Sequence, residues 1–303
     1  MKRVLVTGAS GFIGRHVTKA LTDRGVEVRP FDRSHGGNIL DADAVRRAVE
    51  GCDTVIHLAA KVHDLAARAD DPEQERITLE GTRIVVEAAR GTRLIFLSTV
   101  AVYPNSDQPH DEESPTQPAT AYGRAKLEAE RLVLAAGGTV LRPAMVYGEG
   151  CKGNLPRLVR AVARPLFAIP GGPDNRRSLL HIDNLVQAIV LAAEREQARG
   201  RIYVVADERT YSTREMVELI AEAQGRRTPI VRIPRALLLL AARVGDAGAK
   251  VVRRRLPFDS AALEKLTGSH SVNSARIVRE LGYRPTRNFA NAISDLLERD
   301  APR

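Results

Sequence analysis

The chain has 303 residues, 44% hydrophobic and 27% charged, with 46 Lys plus Arg against 37 Asp plus Glu and a net charge of +9. Length and composition fit one large α/β domain or two modest ones, and they exclude collagen-like and disordered classes. Two cysteines, Cys52 and Cys151, without a C-x-x-C spacing exclude a disulfide scaffold, a zinc knuckle and a redox motif.

Val4-Leu5-Val6 is too short an apolar stretch for a secretory core, and the run Leu237–Ala242 is far short of a bilayer span. The expectation is a cytoplasmic protein that neither spans nor coats a membrane. Charge is unevenly spread: residues 1–150 hold 19 basic and 21 acidic side chains, residues 151–303 hold 27 and 16. The basic half is expected to meet something anionic.

In chain order, β-rich runs fall at Val4–Thr7, Val26–Phe31, Thr54–Leu58, Leu94–Leu97 and Thr139–Arg142. Stretches with helical spacing lie between them at Phe12–Arg24, Asp43–Glu50, Pro72–Arg90 and Ala121–Ala136. Strands alternating with helices predict right-handed crossovers and a doubly wound parallel sheet of Rossmann type. Pro104–Pro118 is polar and proline-rich and reads as a lid or insertion. Beyond Gly148 the pattern loosens. The expected division is a dinucleotide-binding domain of residues 1–148 and about 179–200, with a smaller α/β substrate lobe of about 149–178 and 201–303.

Gly8-Ala9-Ser10-Gly11-Phe12-Ile13-Gly14 joins the first strand to the first helix. Glycines there permit a tight turn and close approach of a pyrophosphate, and the helix N-terminus offers N–H groups to the phosphates. The second strand ends at Asp32, 18 residues beyond Gly14, where a carboxylate can accept the hydroxyls of an adenosine ribose. Asp32 favours NAD, because it would repel the 2′-phosphate of NADP. Arg33, and secondarily Arg15, could pair with that phosphate, so NADP stays open.

Tyr122 and Lys126 are spaced i,i+4 and share one helical face. A nearby ammonium favours a phenolate, which makes proton exchange between Tyr122 and an alcohol feasible. Ser98-Thr99 follows the fourth strand at its carboxyl end, the edge where ligands bind in open parallel sheets. Both could instead simply cap the turn.

The G-x-x-G-x-x-G turn, Ser98-Thr99 and Tyr122-Gly123-Arg124-Ala125-Lys126, in this order, resemble the extended short-chain dehydrogenase/reductases, and in particular the NAD-dependent nucleotide-sugar epimerase/dehydratase family. His57-Leu58-Ala59-Ala60, Leu141–Gly148, Arg177–Asn184, Asn273–Arg276 and Leu281–Pro285 are similar to further segments of that family, so the likeness covers nearly the whole chain. The resemblance implies Tyr122 as base, Lys126 as anchor of the nicotinamide ribose, and Ser98, Thr99, Tyr122, Asn154 and Arg177 on the substrate side. It assigns Gly8, Ser10, Gly11, Phe12, Ile13, Gly14, Asp32, Arg33, Asn38, Ile39, Leu58, Ala59, Ala60 and Lys126 to the dinucleotide. Arg177 would neutralise a nucleotide diphosphate bidentately.

Departures from the family pattern narrow the reaction. Family dehydratases carry Asp-Glu after the catalytic threonine and decarboxylases a Glu; this chain has Val100-Ala101. Simple hydride chemistry remains, either C4 epimerisation of a nucleotide-diphosphate sugar or NAD(P)H-dependent reduction of a 4-keto nucleotide deoxyhexose. Met145, Lys265–Gly268 and Thr78 stand where a sugar-contacting Asn, an Arg-rich phosphate segment and a relay Asn are usual. Cys151–Leu155 with Asn175–Ser178 looks more like the bacterial branch acting on surface-polysaccharide sugars.

Other classes remain as weaker readings. A silent dinucleotide-binding regulator would usually lack the Tyr–Lys pair. Arg253-Arg254-Arg255 brings no nucleic-acid motif, Arg235–Leu256 reads as a packed helix before a membrane contact, and His57, His63 and Asp64 do not make a metal site. The family likeness also implies a homodimer through Pro72–Arg90 and Ala121–Ala136.

Overall fold

The computed structural model describes residues 1–60, 72–151, 153–164, 167–171, 175–225, 230–234 and 268–297. The first half alternates as expected: β1 (Arg3–Thr7), α1 (Phe12–Thr22), β2 (Glu27–Phe31), α2 (Ala42–Val49), β3 (Thr54–His57), α3 (Pro72–Ala88), β4 (Arg93–Leu97), β5 (Ser106–His110), α4 (Ala121–Ala135) and β6 (Thr139–Pro143). After β7 (Met145–Tyr147) come α5 (Asn154–Val162), β8 (Phe167–Gly171), β9 (Arg177–His181), α6 (Ile182–Glu194), β10 (Ile202–Val205), β11 (Thr210–Tyr211), α7 (Thr213–Ala223) and β12 (Ile230–Pro234). The described chain closes with β13 (His270–Val272) and helices α8 (Ala275–Leu281), α9 (Phe289–Ala292) and α10 (Ser294–Leu297).

The main sheet has six strands in the order β10-β6-β4-β3-β1-β2, every pairing parallel. Successive side chains on a strand point to opposite faces, and here both faces are covered. Val4 and Val6 pack with Ile95, Leu97 and α6 residues such as Leu185 and Ile189, whereas Leu5 packs with Phe96, Val45, Val85 and Val133 on the other side. This two-sided burial is why the strands read as continuous apolar runs. The order reverses between β1 and β3, which opens a crevice at the carboxyl ends of those strands.

A second sheet runs β11-β9-β13-β5, with β7 also paired to β9. Its own core joins Tyr147, Leu155, Val159, Leu179, Tyr211, Met216 and Phe289. Strands β8 and β12 form a separate parallel pair.

Two segments depart from the sequence reading. Pro104–Pro118 contains β5, a polar strand without β pattern that exists because β13 supplies its hydrogen-bonding edge. The stretch from 201 onward, expected in the second lobe, contributes β10 to the main sheet. Helix α6 crosses that sheet and returns the chain parallel to β6, pairing Ile202 with Val140. Among the described residues no helix is long and apolar enough to cross a membrane.

Candidate active site

The glycine turn at the end of β1 is built for close approach. Gly8 has φ +71, and a Cβ on Gly14 would lie 2.1 Å from the Gly8 carbonyl oxygen. Helix α1 starts at Gly11 without a side-chain cap and without an acidic residue in its first turn. By contrast α2, α4 and α7 are capped by Asp41, Thr120 and Ser212. An uncapped N-terminus presents N–H donors and the positive end of the helix dipole.

Asp32 lies beside this turn. It accepts hydrogen bonds from the backbone N–H of Ser10 (2.6 Å), Ser34 (3.0 Å) and His35 (3.2 Å), and its Oδ1 is 2.8 Å from His35 Nδ1. Burial pushes its pKa upward, but these bonds outweigh burial and hold the carboxyl at about 2. Leu58 and Ala59 close the opposite side: their N–H groups donate to Thr7 O (3.2 Å) and Thr7 Oγ1 (3.2 Å). A Cβ on Gly8 would come within 3.0 Å of Ala59 Cα. Ala60, Phe12 and Ile13 are half-buried next to these residues in the chain, and Arg33 and Asn38 are exposed. Asn38 Oδ1 accepts from Leu40 N–H (3.1 Å), and Ile39 packs into the core below α2 and α3. Arg15 donates to Gly150 O at 3.0 Å, which ties α1 to the turn after β7. A phosphate cradle where a Cβ would clash, beside a carboxylate at the ribose position, fits a dinucleotide held by Gly8–Gly14 and Asp32.

On the neighbouring strands, Thr120 caps α4 by accepting from Gly123 N–H (3.1 Å). A Cβ on Gly123 would lie 2.6 Å from Ala101 O, so glycine lets the start of α4 press against the 3-10 turn Val100–Val102. Thr99 opens that turn, its Oγ1 accepting from Ala101 N–H at 3.1 Å. Strand β4 is two places from β1, so Ser98-Thr99 and the glycine turn share one edge about 10 Å apart.

Tyr122 is half-buried and Lys126 is 2% exposed. Lys126 Nζ donates to Leu97 O at 2.7 Å and lies 4.5 Å over the Phe96 ring, against 5.9 Å to the Tyr122 ring. The expected lowering of the tyrosine pKa by Lys126 is not what this geometry gives. Burial drives the phenol up to about 12, and the ammonium faces β4. Burial likewise lowers Lys126 to about 7, while the charge of Glu130 opposes the fall.

Four residues next to the pair, Glu130, Arg142, Tyr103 and His57, have no role at it in the sequence reading, although His57 and Arg142 lie in segments similar to the family. Glu130, one turn beyond Lys126, accepts from Arg142 Nε (3.0 Å) and Nη2 (2.6 Å) and from Ser98 Oγ. Ser98 therefore directs its hydroxyl into this network. Arg142 Nη1 donates to Tyr103 OH (2.7 Å), and Tyr103 OH donates to Asp111 O (2.7 Å). His57 completes the surroundings on β3. Thr82 donates to Thr78 O, so Thr82 Oγ1 accepts from His57 Nε2 at 3.1 Å, and Thr7 Oγ1 lies 2.7 Å from Nδ1. Burial first, then the charge on Lys126, holds this imidazole at about 3. It is thus a neutral packed histidine. Thr78 Oγ1, at the relay position, is buried and finds no partner among the described residues.

Arg177 begins β9 on the second sheet, in register with His270. Its Nη2 donates to Gly268 O (3.1 Å), and burial lowers its pKa. Asn154 is the first residue of α5; its side chain lies outside what is described. Lys152, His63, Asp64, Arg235–Leu256 and Lys265–Thr267 also lie outside the described residues or largely so. Among the described residues no cluster of His, Cys, Asp or Glu could hold a metal ion.

A doubly wound parallel sheet with this glycine turn and Tyr–Lys helix defines the extended short-chain dehydrogenase/reductase class. Residues 4–206 match the NAD dependent epimerase/dehydratase family, and the chain belongs to it. It is 31% identical, across 93% of its own length and 91% of the relative's, to the 4-hydroxy-2-methyl-3-oxo-4-farnesyl-3,4-dihydroquinoline-1-oxide ketoreductase of Stigmatella aurantiaca. It is 25% identical, across 90% and 88%, to the N-acetyl-alpha-D-glucosaminyl-diphospho-ditrans,octacis-undecaprenol 4-epimerase of Escherichia coli O157:H7. The solved structure of MoeE5 in complex with UDP-glucose and NAD superposes with a TM-score of 0.77 at 25% identity, covering 98% of this chain and 97% of that one.

Proposed function

We propose that the protein catalyses NAD(P)-dependent oxidoreduction at C4 of a nucleotide-diphosphate sugar, in the manner of a 4-epimerase. The observation that carries this reading is a half-buried Tyr122 and a buried Lys126 together at the end of β4, beside a turn whose Val100-Ala101 offers no second acid or base. A bound nicotinamide would give or take the hydride at the sugar carbon. Tyr122 exchanges the proton of the reacting oxygen, Lys126 orients the ribose, and Thr99 Oγ1 holds the same oxygen. With its phenol near 12, Tyr122 enters the cycle protonated and is ready to donate to a ketone; in the oxidative direction it must first lose that proton. Asp32 and the glycine turn hold the dinucleotide, with NAD favoured over NADP, and Arg177 and Asn154 serve the diphosphate end of the substrate. The E. coli relative, whose name specifies a 4-epimerase acting on an N-acetylglucosaminyl diphosphate carried on undecaprenol, supports C4 chemistry on a diphospho-sugar, and the UDP-glucose and NAD complex of MoeE5 supports a nucleotide as the carrier.

A second reading, a 4-ketoreductase of a nucleotide deoxyhexose, draws on the Stigmatella ketoreductase at 31% identity. Bound cofactor separates the two. Purified protein that carries NAD and interconverts UDP-sugars without added cofactor is an epimerase, whereas protein that consumes NAD(P)H with a ketone is a reductase. In either case Tyr122→Phe is expected to lower turnover by about 10²–10⁴-fold, and undiminished turnover would overturn the assignment of the base.

A further inference from the structure

Asp32, the acidic group of the dinucleotide cradle, has a side-chain partner of its own in His35. Three donors meet at one carboxylate oxygen: Oδ1 lies 3.0 Å from Ser34 N, 3.2 Å from His35 N and 2.8 Å from His35 Nδ1. Oδ2 accepts from Ser10 N–H at 2.6 Å. The Asp32 side chain is 13% exposed and the imidazole 41%, so the acid is largely covered while its ring partner stays open to solvent.

The backbone places that ring. Arg33–His35 form a 3-10 turn with Asp32 as its cap, and in such a turn side chains three positions apart lie one above the other. Gly36 closes the turn at φ +74, and Gly37 N–H returns to Asp32 O at 2.8 Å. The position of the proton follows from the acid. An ionised carboxylate only accepts, and Asp32, held at about 2, is ionised at neutral pH. Nδ1 therefore carries the hydrogen and donates it. Such a donor draws on the same negative charge that a ribose hydroxyl would use and that a 2′-phosphate would meet. The N–H groups of Ser34 and His35 would reach Asp32 whatever the side chains there; the imidazole is what the identity of residue 35 adds.

We propose that His35 is a specificity-determining residue for the dinucleotide, its Nδ1–H tempering the Asp32 carboxylate so that a 2′-phosphate is refused less firmly than by the acid alone. This rests on the reading of Asp32 and the glycine turn as the adenosine side of the cofactor site. Asp32 makes the choice between the two dinucleotides, and His35 sets how strict it is. Without the imidazole donor the carboxylate becomes a better acceptor for the ribose hydroxyls of NADH and a stronger repellent for the phosphate of NADPH. The two affinities then move in opposite directions, which a general loosening of the turn does not produce.

The test compares dissociation constants of NADH and NADPH, by fluorescence titration, for the wild type, His35→Ala, His35→Phe and His35→Asn. Phe keeps a ring without the donor, whereas the Asn amide places a donor where Nδ1 stands. In His35→Ala and His35→Phe the preference for NADH should widen by about threefold or more, and His35→Asn should keep the wild-type ratio. An unchanged ratio in the Ala and Phe variants, with both cofactors still bound, overturns this proposal alone. Equal weakening of both cofactors makes His35 a brace of the turn and overturns it too, as does an Asn variant that behaves like Ala. Wild-type protein that binds neither cofactor overturns it together with the reading of the cradle.

Discussion

Asp32 illustrates how one side chain can serve both the fold and a ligand. Its carboxylate fastens the glycine turn through Ser10 and the β2 end through Ser34 and His35. Because its folded pKa is lower than the unfolded value, its ionisation stabilises the protein above about pH 4, and that contribution is lost as the pH falls through about 2. The same charge would repel a 2′-phosphate by about 1 kcal/mol or more at 4 Å. Asp32→Asn should therefore narrow the preference for NAD over NADP by about fivefold or more, as read from dissociation constants for the two reduced cofactors. An unchanged ratio would mean that Arg33 or the backbone sets the preference. Much of this site was legible in the sequence. Gly8, Gly14 and Asp32 have short-range signals, and the Tyr122–Lys126 spacing is local to one helix. The Ser98–Glu130–Arg142 contact was not legible, because it is made between three elements and each residue taken alone reads as an ordinary strand-end or helix residue.

Helix α4 gathers these contacts, and its neighbours show why element boundaries were easier to read than partners. The main-sheet strands β1, β2, β3, β4 and β6 are covered on both faces, so each shows as an apolar run ended by a turn, and their observed spans agree with the expected ones to within one residue. Strand β5 has no such signature: Ser106-Asp107-Gln108-Pro109-His110 becomes a strand through its partner β13. Strand β10 has no local sign of the sheet it joins, because a short run such as Ile202–Val205 pairs with either sheet equally well on pattern alone. The α4–β6 ion pair makes a measurable claim at this scale. With 4% and 1% side-chain exposure, Arg142 cannot be removed alone without leaving a buried carboxylate uncompensated. Arg142→Met should cost about 3–5 kcal/mol in urea unfolding, and Glu130→Leu/Arg142→Met should recover most of it. Equal destabilisation by both variants would show that packing, rather than charge compensation, governs the contact.

Across the whole molecule, charge is arranged so that the two proposed ligands are met differently. The first 150 residues are close to neutral, and there the cradle for a dinucleotide consists of backbone N–H groups and an uncapped helix end. The basic surplus lies in residues 151–303, where Arg177 keeps a half-buried guanidinium whose charge is disfavoured by desolvation. An arriving diphosphate would relieve that penalty locally and would be drawn in by the surrounding positive field, which salt screens over about 8–10 Å. A neutral ketone, such as the quinoline in the name of the Stigmatella relative, would feel neither effect. Binding of UDP, measured by calorimetry between low and moderate salt, should weaken steadily as ionic strength rises. Arg177→Ala should weaken it by about tenfold or more even at low salt, since a charge-assisted bond is worth about 1.5–3 kcal/mol. NADH binding, proposed to rest on backbone donors and Asp32, should respond far less to that substitution. If UDP fails to bind, or binds equally well to Arg177→Ala at every salt concentration, the diphosphate is not the handle by which this lobe holds its substrate, and neither the epimerase reading nor the nucleotide-sugar reductase reading stands.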